Sequence, residues 1–155
     1  MYDFVSLPAH FYGFETQIAY HLFGDADASR DLSIDFQPDY VYAENRVTGE
    51  AIPRIPPLRL KTGINYAITD IIKTRLELQH VFRQERNSPV ETETPQYTLL
   101  NAYVTKPIQI ERYNLELFAR GTNLLNEKAR EHTSFIKDLA PLPGASILGG
   151  IQFRF

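Results

Sequence analysis

The sequence predicts an all-β protein of about seven long antiparallel strands, and three observations lead to that prediction. Apolar and polar residues alternate in seven separate segments, which is the period of a strand with two different faces. The segments are roughly ten to thirteen residues long, whereas strands in soluble sheets average about five or six. A tilted strand needs about nine to eleven residues to cross a bilayer. The links alternate between short and long, so we predict an antiparallel transmembrane β-barrel segment with short periplasmic turns and longer extracellular loops.

The first three segments cover residues 11–23, 32–42 and 58–68. Pro38 lies inside the second of them, and because proline cannot donate a ladder hydrogen bond we expect a bulge or an irregularity there. The third segment carries the cations Arg59 and Lys61 on its polar face. The opposite face of each segment is predicted to point outward, and it holds Tyr12, Phe14, Thr16, Ile18, Tyr20 and Leu22, then Leu32, Ile34, Phe36, Tyr40 and Tyr42, then Leu58, Leu60, Thr62, Ile64, Tyr66 and Ile68.

The other four segments cover residues 71–84, 97–106, 113–123 and 146–155. In the second of these, Leu99 and Leu100 are adjacent, so either parity is possible; we favour Leu100, Ala102 and Val104 as the outward set. The remaining three alternate regularly. Their outward residues are predicted to be Ile72, Leu76, Leu78 and Phe82, then Leu115, Leu117 and Ala119, then Ile147, Ile151, Phe153 and Phe155.

The links give the sheet an orientation. Short links fall at residues 24–30, 69–70 and 111–112, and longer polar links fall at 43–57, 84–95 and 126–144. If the short turns are periplasmic, the chain ends on the periplasmic side, and the long loops lie outside together with the segment around residues 2–8.

The composition excludes several classes of protein. No apolar run approaches the roughly eighteen residues of a spanning helix, and a net charge of -3 with a pI near 5.8 argues against a nucleic-acid partner. Cysteine is absent, which excludes disulfides and thiolate chemistry. The start of the chain has no signal-peptide pattern, so we expect a fragment of an exported protein.

Periodicity alone leaves two alternatives open. A soluble antiparallel sandwich shows the same alternation, with one face buried and one face wet. A small closed barrel of about eight strands, completed by residues 1–9, would also fit the pattern. Either one would be an independent binding or structural module, and the discriminating feature is whether the apolar faces are covered by protein.

Residues 119–155 carry a resemblance to a known family. The order of Gly121-Thr-Asn-Leu-Leu-Asn126, a long loop, Leu142-Pro-Gly144 and an alternating last strand resembles the C-terminus of TonB-dependent outer-membrane receptors. Residues 44–60 are similar to an extracellular loop and descending strand of the same family. The loop at residues 132–138 resembles that of the zinc-uptake branch.

The resemblance implies a receptor component and not an enzyme. In the family a barrel of about twenty-two strands encloses an N-terminal plug, and the energy-coupling TonB protein acts through that plug. Residues 1–155 would be the C-terminal part of such a barrel, with the plug domain and signal peptide absent. The implied location is the outer membrane of a Gram-negative bacterium, among lipid and the rest of the barrel, and the implied cargo is a metal ion or metal chelate, zinc or siderophore-like.

The last strand resembles the signal by which the barrel-assembly machinery captures a nascent barrel. Its alternating residues are Ile147, Gly149, Ile151, Phe153 and Phe155. A plain amphipathic edge strand is the alternative interpretation, because any exposed edge offers main-chain hydrogen bonds to another strand.

No catalytic site is predicted. The chain has no Cys, no Gly-x-Ser-x-Gly elbow and no persuasive Ser-His-acid group. His10, His21, His80 and His132 are far apart in the sequence, and only His132, with Glu131 or Asp138 nearby, is a candidate loop ligand for a cargo metal. No resident cofactor is expected, and a solvated loop histidine is the alternative for His132.

Overall fold

A computed structural model describes residues 6–24, 29–110 and 113–154, and these residues form one antiparallel sheet. The predicted all-β class is confirmed. No helix in the three described ranges is long and apolar enough to cross a membrane. The strands are β1 (Ala9–Glu15), β2 (Ile18–Phe23), β3 (Arg30–Asn45), β4 (Arg59–Ile68), β5 (Ile72–Val81), β6 (Tyr97–Ile110), β7 (Tyr113–Thr122) and β8 (Ser146–Arg154).

The eight strands occupy seven positions, because β1 and β2 both pair with β3 and follow each other along its edge. The predicted first strand is thus interrupted, and the interruption faces Pro38. The amide of Thr16 donates to the Pro38 carbonyl at 3.2 Å, but Pro38 has no N–H to return a bond to Thr16. The irregularity expected at Pro38 therefore falls on its neighbour, while β3 itself runs unbroken.

Registers confirm the predicted division into two faces. On β4, Gly63 lies between Asp35 of β3 and Glu77 of β5, so the polar positions of the three strands share one face. The ambiguous strand is resolved by its partner: Leu100, Ala102 and Val104 lie opposite Leu78, Leu76 and Thr74 on the apolar face. The parity chosen for β6 is confirmed.

Link lengths also alternate as predicted. The turn end of the sheet carries the links between β2 and β3, β4 and β5, and β6 and β7. The loop end carries three long links, named here loop A (46–58), loop B (82–96) and loop C (123–145). Strands β3 and β6 extend further than the alternation suggested, to Asn45 and Ile110, because ladder pairing continues past the last apolar residue of each segment.

The sheet is open in the described part of the chain. It runs from β1 and β2 at one edge to β8 at the other, and no pair joins these edges. A small closed barrel is not formed by the described residues; residues 1–5, part of the segment invoked to complete it, lie outside them. The sandwich alternative is wrong, because the described residues form one sheet and none of them forms a second sheet over its apolar face.

Candidate functional site

The apolar face of the sheet is exposed along its whole width. Tyr20 on β2 is 67% exposed and Ile151 on β8 is 66% exposed, although a soluble protein would bury such side chains. A continuous exposed apolar surface of this kind marks contact with lipid or with another protein. Further members of this surface are Tyr12, Phe14, Ile18, Phe36, Ile64, Leu76, Leu78, Val104, Leu117, Ile147 and Phe153; at β2 the register shifts between His21 and Phe23, so that Phe23 and not Leu22 lies opposite Leu32.

Aromatic pairs border this surface at both ends. At the loop end Tyr12 stacks on Tyr42 with ring centroids 4.5 Å apart, and Phe14 contacts Tyr40 at 6.2 Å. At the turn end Phe23 meets Tyr66 edge-on at 6.4 Å, and Tyr113 lies 6.1 Å from Phe153. Aromatic side chains at two levels are typical of the two interfaces of a membrane.

The spacing of the two aromatic levels fits a bilayer. Tyr66 lies opposite Leu32 on β3, and Tyr42 follows Leu32 by ten positions along that strand. Ten residues span about 34 Å along a strand, which is about 26 Å of height at a tilt of about 40°. The apolar band of an outer-membrane barrel is about 25 Å tall.

The polar face contains a buried ionic network centred on Gly63. The Arg75 guanidinium lies over Gly63, donates to both carboxylate oxygens of Asp35, and donates to Glu77 at 3.0 Å. Asn65 donates to Asp35 at 2.7 Å and accepts from Arg75 at 2.7 Å. Asp35 is only 5% exposed, and a buried carboxylate is costly unless it is paired. The donors of Arg75 and Asn65 compensate its charge. The network ties β3, β4 and β5 in register.

Loop C folds back over the loop end of the polar face. Ala129, which is 1% exposed, packs with Val81 and Tyr97 on the polar side of β5 and β6, and Leu142 adds to the same cluster. These residues form the apolar core of the described chain, and no large side chain there is completely buried. Loop C is therefore attached to the sheet at β5 and β6.

Asn123 holds the two ends of loop C together. Its backbone has a positive φ of 49°, which asparagine tolerates better than most residues. Its side chain donates to the carbonyls of Glu127 and Pro143 at 2.8 and 2.9 Å, while its own amide donates to Asn101 at 3.0 Å. The Gly121–Asn126 motif thus has a physical role as the anchor of the loop.

The sequence profile described as TonB dependent receptor-like, beta-barrel, matches residues 4–124. The chain belongs to this family. The match covers most of the chain and includes β1 to β7, while the sheet and aromatic borders described above are those of a barrel wall. The family is one of receptors and not a class of enzymes.

Among solved structures, the copper transporter OprC has a similar fold. The two superpose with a TM-score of 0.80 at 19% sequence identity, over 96% of this chain. At that identity the likeness concerns the fold alone. The chain corresponds to 24% of the OprC chain, so it spans about a quarter of the length of that protein.

His132 lies inside the loop cluster and not on its surface. Its side chain is 1% exposed, and Nδ1 lies 2.8 Å from the hydroxyl of Thr94 and 3.3 Å from Nζ of Lys137. Nε2 lies 4.0 Å from Glu91. Burial and the nearby Lys137 ammonium lower the pKa of His132, which favours the neutral imidazole.

The structure does not bring the other histidines to His132. His10 lies 3.8 Å from Glu44 at the loop end, His21 lies 2.6 Å from Asp31 at the turn end, and His80 packs edge-on against Phe82. In the described ranges no three His, Asp or Glu side chains are grouped as metal ligands. Metal capture by His132 stays a prediction.

The predicted assembly signal forms the edge strand β8. Ile147, Gly149, Ile151 and Phe153 lie opposite Gly121, Ala119, Leu117 and Leu115 on the apolar face, and Phe155 lies outside the described residues. The outer ladder groups of β8 have no neighbouring strand in the described sheet. This placement leaves the signalling role a prediction.

Sequence reasoning missed the contacts that join loops B and C. Lys137 is 5% exposed and donates to the carbonyl of Thr92 and, at 3.1 Å, to the hydroxyl of Thr94. A lysine in a polar loop gives no sign of burial. Loop C also contains other apolar residues, such as Phe135 and Leu139, which remain exposed, so its apolar content did not mark Ala129 and Leu142 as the residues that pack.

Proposed function

We propose that this chain forms the C-terminal part of the barrel wall of a TonB-dependent receptor in the outer membrane of a Gram-negative bacterium, and that the receptor takes up a metal ion or metal chelate. The observation that carries the proposal is the exposed apolar face bordered by aromatic pairs at both ends, on a chain of this receptor family. The fold shared with a copper transporter supports a metal cargo. The polar face would line the lumen.

An uptake assay tests this function. A strain lacking the gene, with and without a plasmid copy, is given labelled zinc, labelled copper or a labelled ferric siderophore under limitation for that metal. We expect the plasmid copy to restore uptake of one of these cargoes, and we expect the restoration to disappear when the TonB gene is deleted. Unchanged uptake of all three cargoes with and without the gene would contradict metal transport.

The cargo metal is proposed to meet His132 on its way in. The imidazole is held neutral by burial, as a metal ligand must be, but it is enclosed by loops B and C, so capture requires these loops to admit the ion. We expect His132→Ala to weaken metal binding by about tenfold. The control is His10→Ala, which alters another loop-end histidine outside the cluster. Equal affinity in wild type and His132→Ala would remove His132 from the metal path.

Four partners follow from the proposed function: lipid at the apolar face, the remaining N-terminal barrel strands at the open edges, a plug at the polar face, and TonB acting through that plug. The open edges support the second of these, because unpaired strand edges recruit other strands. Co-expression of the N-terminal part of a related receptor is expected to raise the amount of this chain in outer membranes. No increase would argue against completion by further strands.

The barrel-assembly machinery is the fifth proposed partner, through Ile147, Gly149, Ile151, Phe153 and Phe155. Removing the Phe155 side chain by Phe155→Ala is expected to reduce insertion in cells several-fold and to leave folding in lipid vesicles unchanged, since vesicles contain no assembly machinery. Ile110→Ala, which shortens an exposed apolar side chain at the turn end of β6, is the control. Equal loss in cells and in vesicles would indicate a stability effect and not a signal.

A further inference from the structure

Lys137 is a buried cation without an ionic partner. In the described part of the chain no carboxylate oxygen lies within 4.0 Å of its Nζ atom, whose hydrogen-bond partners are the Thr92 carbonyl, the Thr94 hydroxyl and His132 Nδ1. A buried ammonium is costly unless its hydrogen bonds are satisfied. Two of the three acceptors belong to loop B. The ammonium of Lys137 in loop C therefore depends on loop B for most of its hydrogen bonds.

A second set of contacts joins all three loops. Thr92 of loop B donates to Asp138 of loop C at 3.0 Å. The backbone amide of Arg54 in loop A donates to Glu91 of loop B at 2.8 Å, and its guanidinium lies 3.1 Å from the centre of the Phe135 ring in loop C. Each loop therefore contacts both of the others.

The joined loops are also fixed to the wall. Loop C is attached through Ala129 and through Asn123, whose amide donates to Asn101 of β6. Loop B is attached through Arg86, which donates to the Ala43 carbonyl at 3.1 Å and lies over the Tyr42 ring at 3.7 Å. Independent movement of one loop would break contacts with the wall and with a neighbouring loop together.

We infer that loops A, B and C form a single preformed cap over the loop end of the polar face, with Lys137 as the residue that positions loop B against loop C. A ligand that reaches the loop end of the sheet therefore meets the three loops as one surface. The loops open together or not at all, because separating loop B from loop C takes two of the three acceptors away from the Lys137 ammonium at once. The inference concerns the architecture of the loops and holds for any cargo.

Hydrogen exchange of the full chain in detergent micelles tests the cap. Lys137→Met keeps the length of the side chain but removes the ammonium, and Lys128→Met removes an exposed cation from the same loop as the control. We expect Lys137→Met to raise exchange in both loops B and C by about tenfold or more, since charged hydrogen bonds are lost. Lys128→Met is expected to change neither loop. Faster exchange confined to loop C would overturn the cap.

A cross-link provides the second test, without removing the buried charge. Thr92→Cys with Asp138→Cys places two thiols where two side chains now touch. If the loops already form one body, oxidation joins them and leaves exchange in loops A, B and C as in the reduced protein. Strong slowing of exchange on oxidation, or failure of the thiols to join while β4 and β5 remain protected, would show that the loops separate in the native protein.

Discussion

At the scale of single residues, Gly63 shows how a missing side chain allows an ionic network. It lies between two carboxylates on neighbouring strands, and the Arg75 guanidinium that neutralises both fills the space above it. A Cβ atom on Gly63 would lie 2.4 Å from the guanidinium nitrogens, so the guanidinium would have to shift out of the position in which it bonds to Asp35 and Glu77. Asp35 would then remain buried without its main donor.

We therefore expect Gly63→Ala to lower the free energy of unfolding by about 1.5–3 kcal/mol, the contribution of a charged hydrogen bond. Gly149→Ala is the matched control, because its Cβ would meet only the Phe118 carbonyl at 3.7 Å, an ordinary contact. Urea unfolding in detergent micelles measures both variants. In an Arg75→Ala background the extra cost of Gly63→Ala should vanish; a cost that persists there would show that the guanidinium is not the cause.

His132 provides a prediction of pH dependence. Its folded-state pKa lies below the ordinary value of 6.5 because of burial and Lys137, so the folded loop binds the proton less well than the unfolded loop does. The loop packing is then fully stable above pH 6.5 and loses stability as the pH falls from there through the folded-state pKa. Exchange of loop C, corrected for the intrinsic rate at each pH and measured with a chelator present, reports this loss.

The control for that titration is His132→Asn, whose side-chain oxygen can replace Nδ1 as an acceptor without gaining a proton. This variant is expected to show the same loop stability at pH 5 and pH 7.5. An equal loss on acidification in both proteins would assign the effect to another group.

At the scale of elements, Pro38 divides one strand position into β1 and β2. The pairing register is the same on both sides of the gap, with Glu15 opposite Asp39 and Ile18 opposite Phe36, so only the missing N–H separates the two pieces. Pro38→Val is expected to donate to the Thr16 carbonyl and to join them, with a gain of about 0.5–1.5 kcal/mol. Amide exchange at residues 16–19 should slow accordingly.

Pro53→Val in loop A is the control for that change, because it removes a proline and relaxes the unfolded chain without supplying a ladder bond. A similar stability change in the two variants would mean that the interruption has another cause.

The strands and their faces could be predicted because adjacent residues of a strand point to opposite faces, so the alternation is visible in a short stretch of sequence. Even the uncertain β6 was placed correctly by the run Leu100, Ala102 and Val104, and the structure adds that its partner β5 imposes the same parity. The split at Thr16 was anticipated only as an irregularity at Pro38. Its location on the neighbouring strand depends on pairing, which sequence periodicity does not contain.

The loop cluster could not be predicted for the same reason. Lys137 and Thr94 are 43 residues apart, and nothing near either residue marks it as buried. His132 was predicted as a loop ligand beside Glu131 or Asp138, and that role stays a prediction. The groups at its Nδ1 are Thr94 and Lys137, and the carboxylate 4.0 Å from its Nε2 is Glu91 of loop B, a contact that sequence proximity does not contain.

At the scale of the whole molecule, the exposed apolar face determines where the chain can be stable. Leu78 lies on this face near the middle of β5, 45% exposed, and the adjacent Gln79 points to the polar face. If lipid covers the apolar face, an arginine at Leu78 must enter the hydrocarbon, at a cost of about 2–4 kcal/mol near the bilayer midplane. An arginine at Gln79 remains on the polar side.

We expect Leu78→Arg to reduce the fraction of chain inserted into lipid vesicles strongly, and Gln79→Arg to leave it near the wild-type level. Resistance of the inserted chain to added protease measures that fraction. The comparison is sharp because the two positions are neighbours on one strand and receive the same residue, so the net charge changes equally and the main difference is the face that carries the arginine. Equal insertion of both variants would mean that the apolar face is covered by protein and not by lipid, and it would withdraw the membrane assignment while leaving the observed sheet intact.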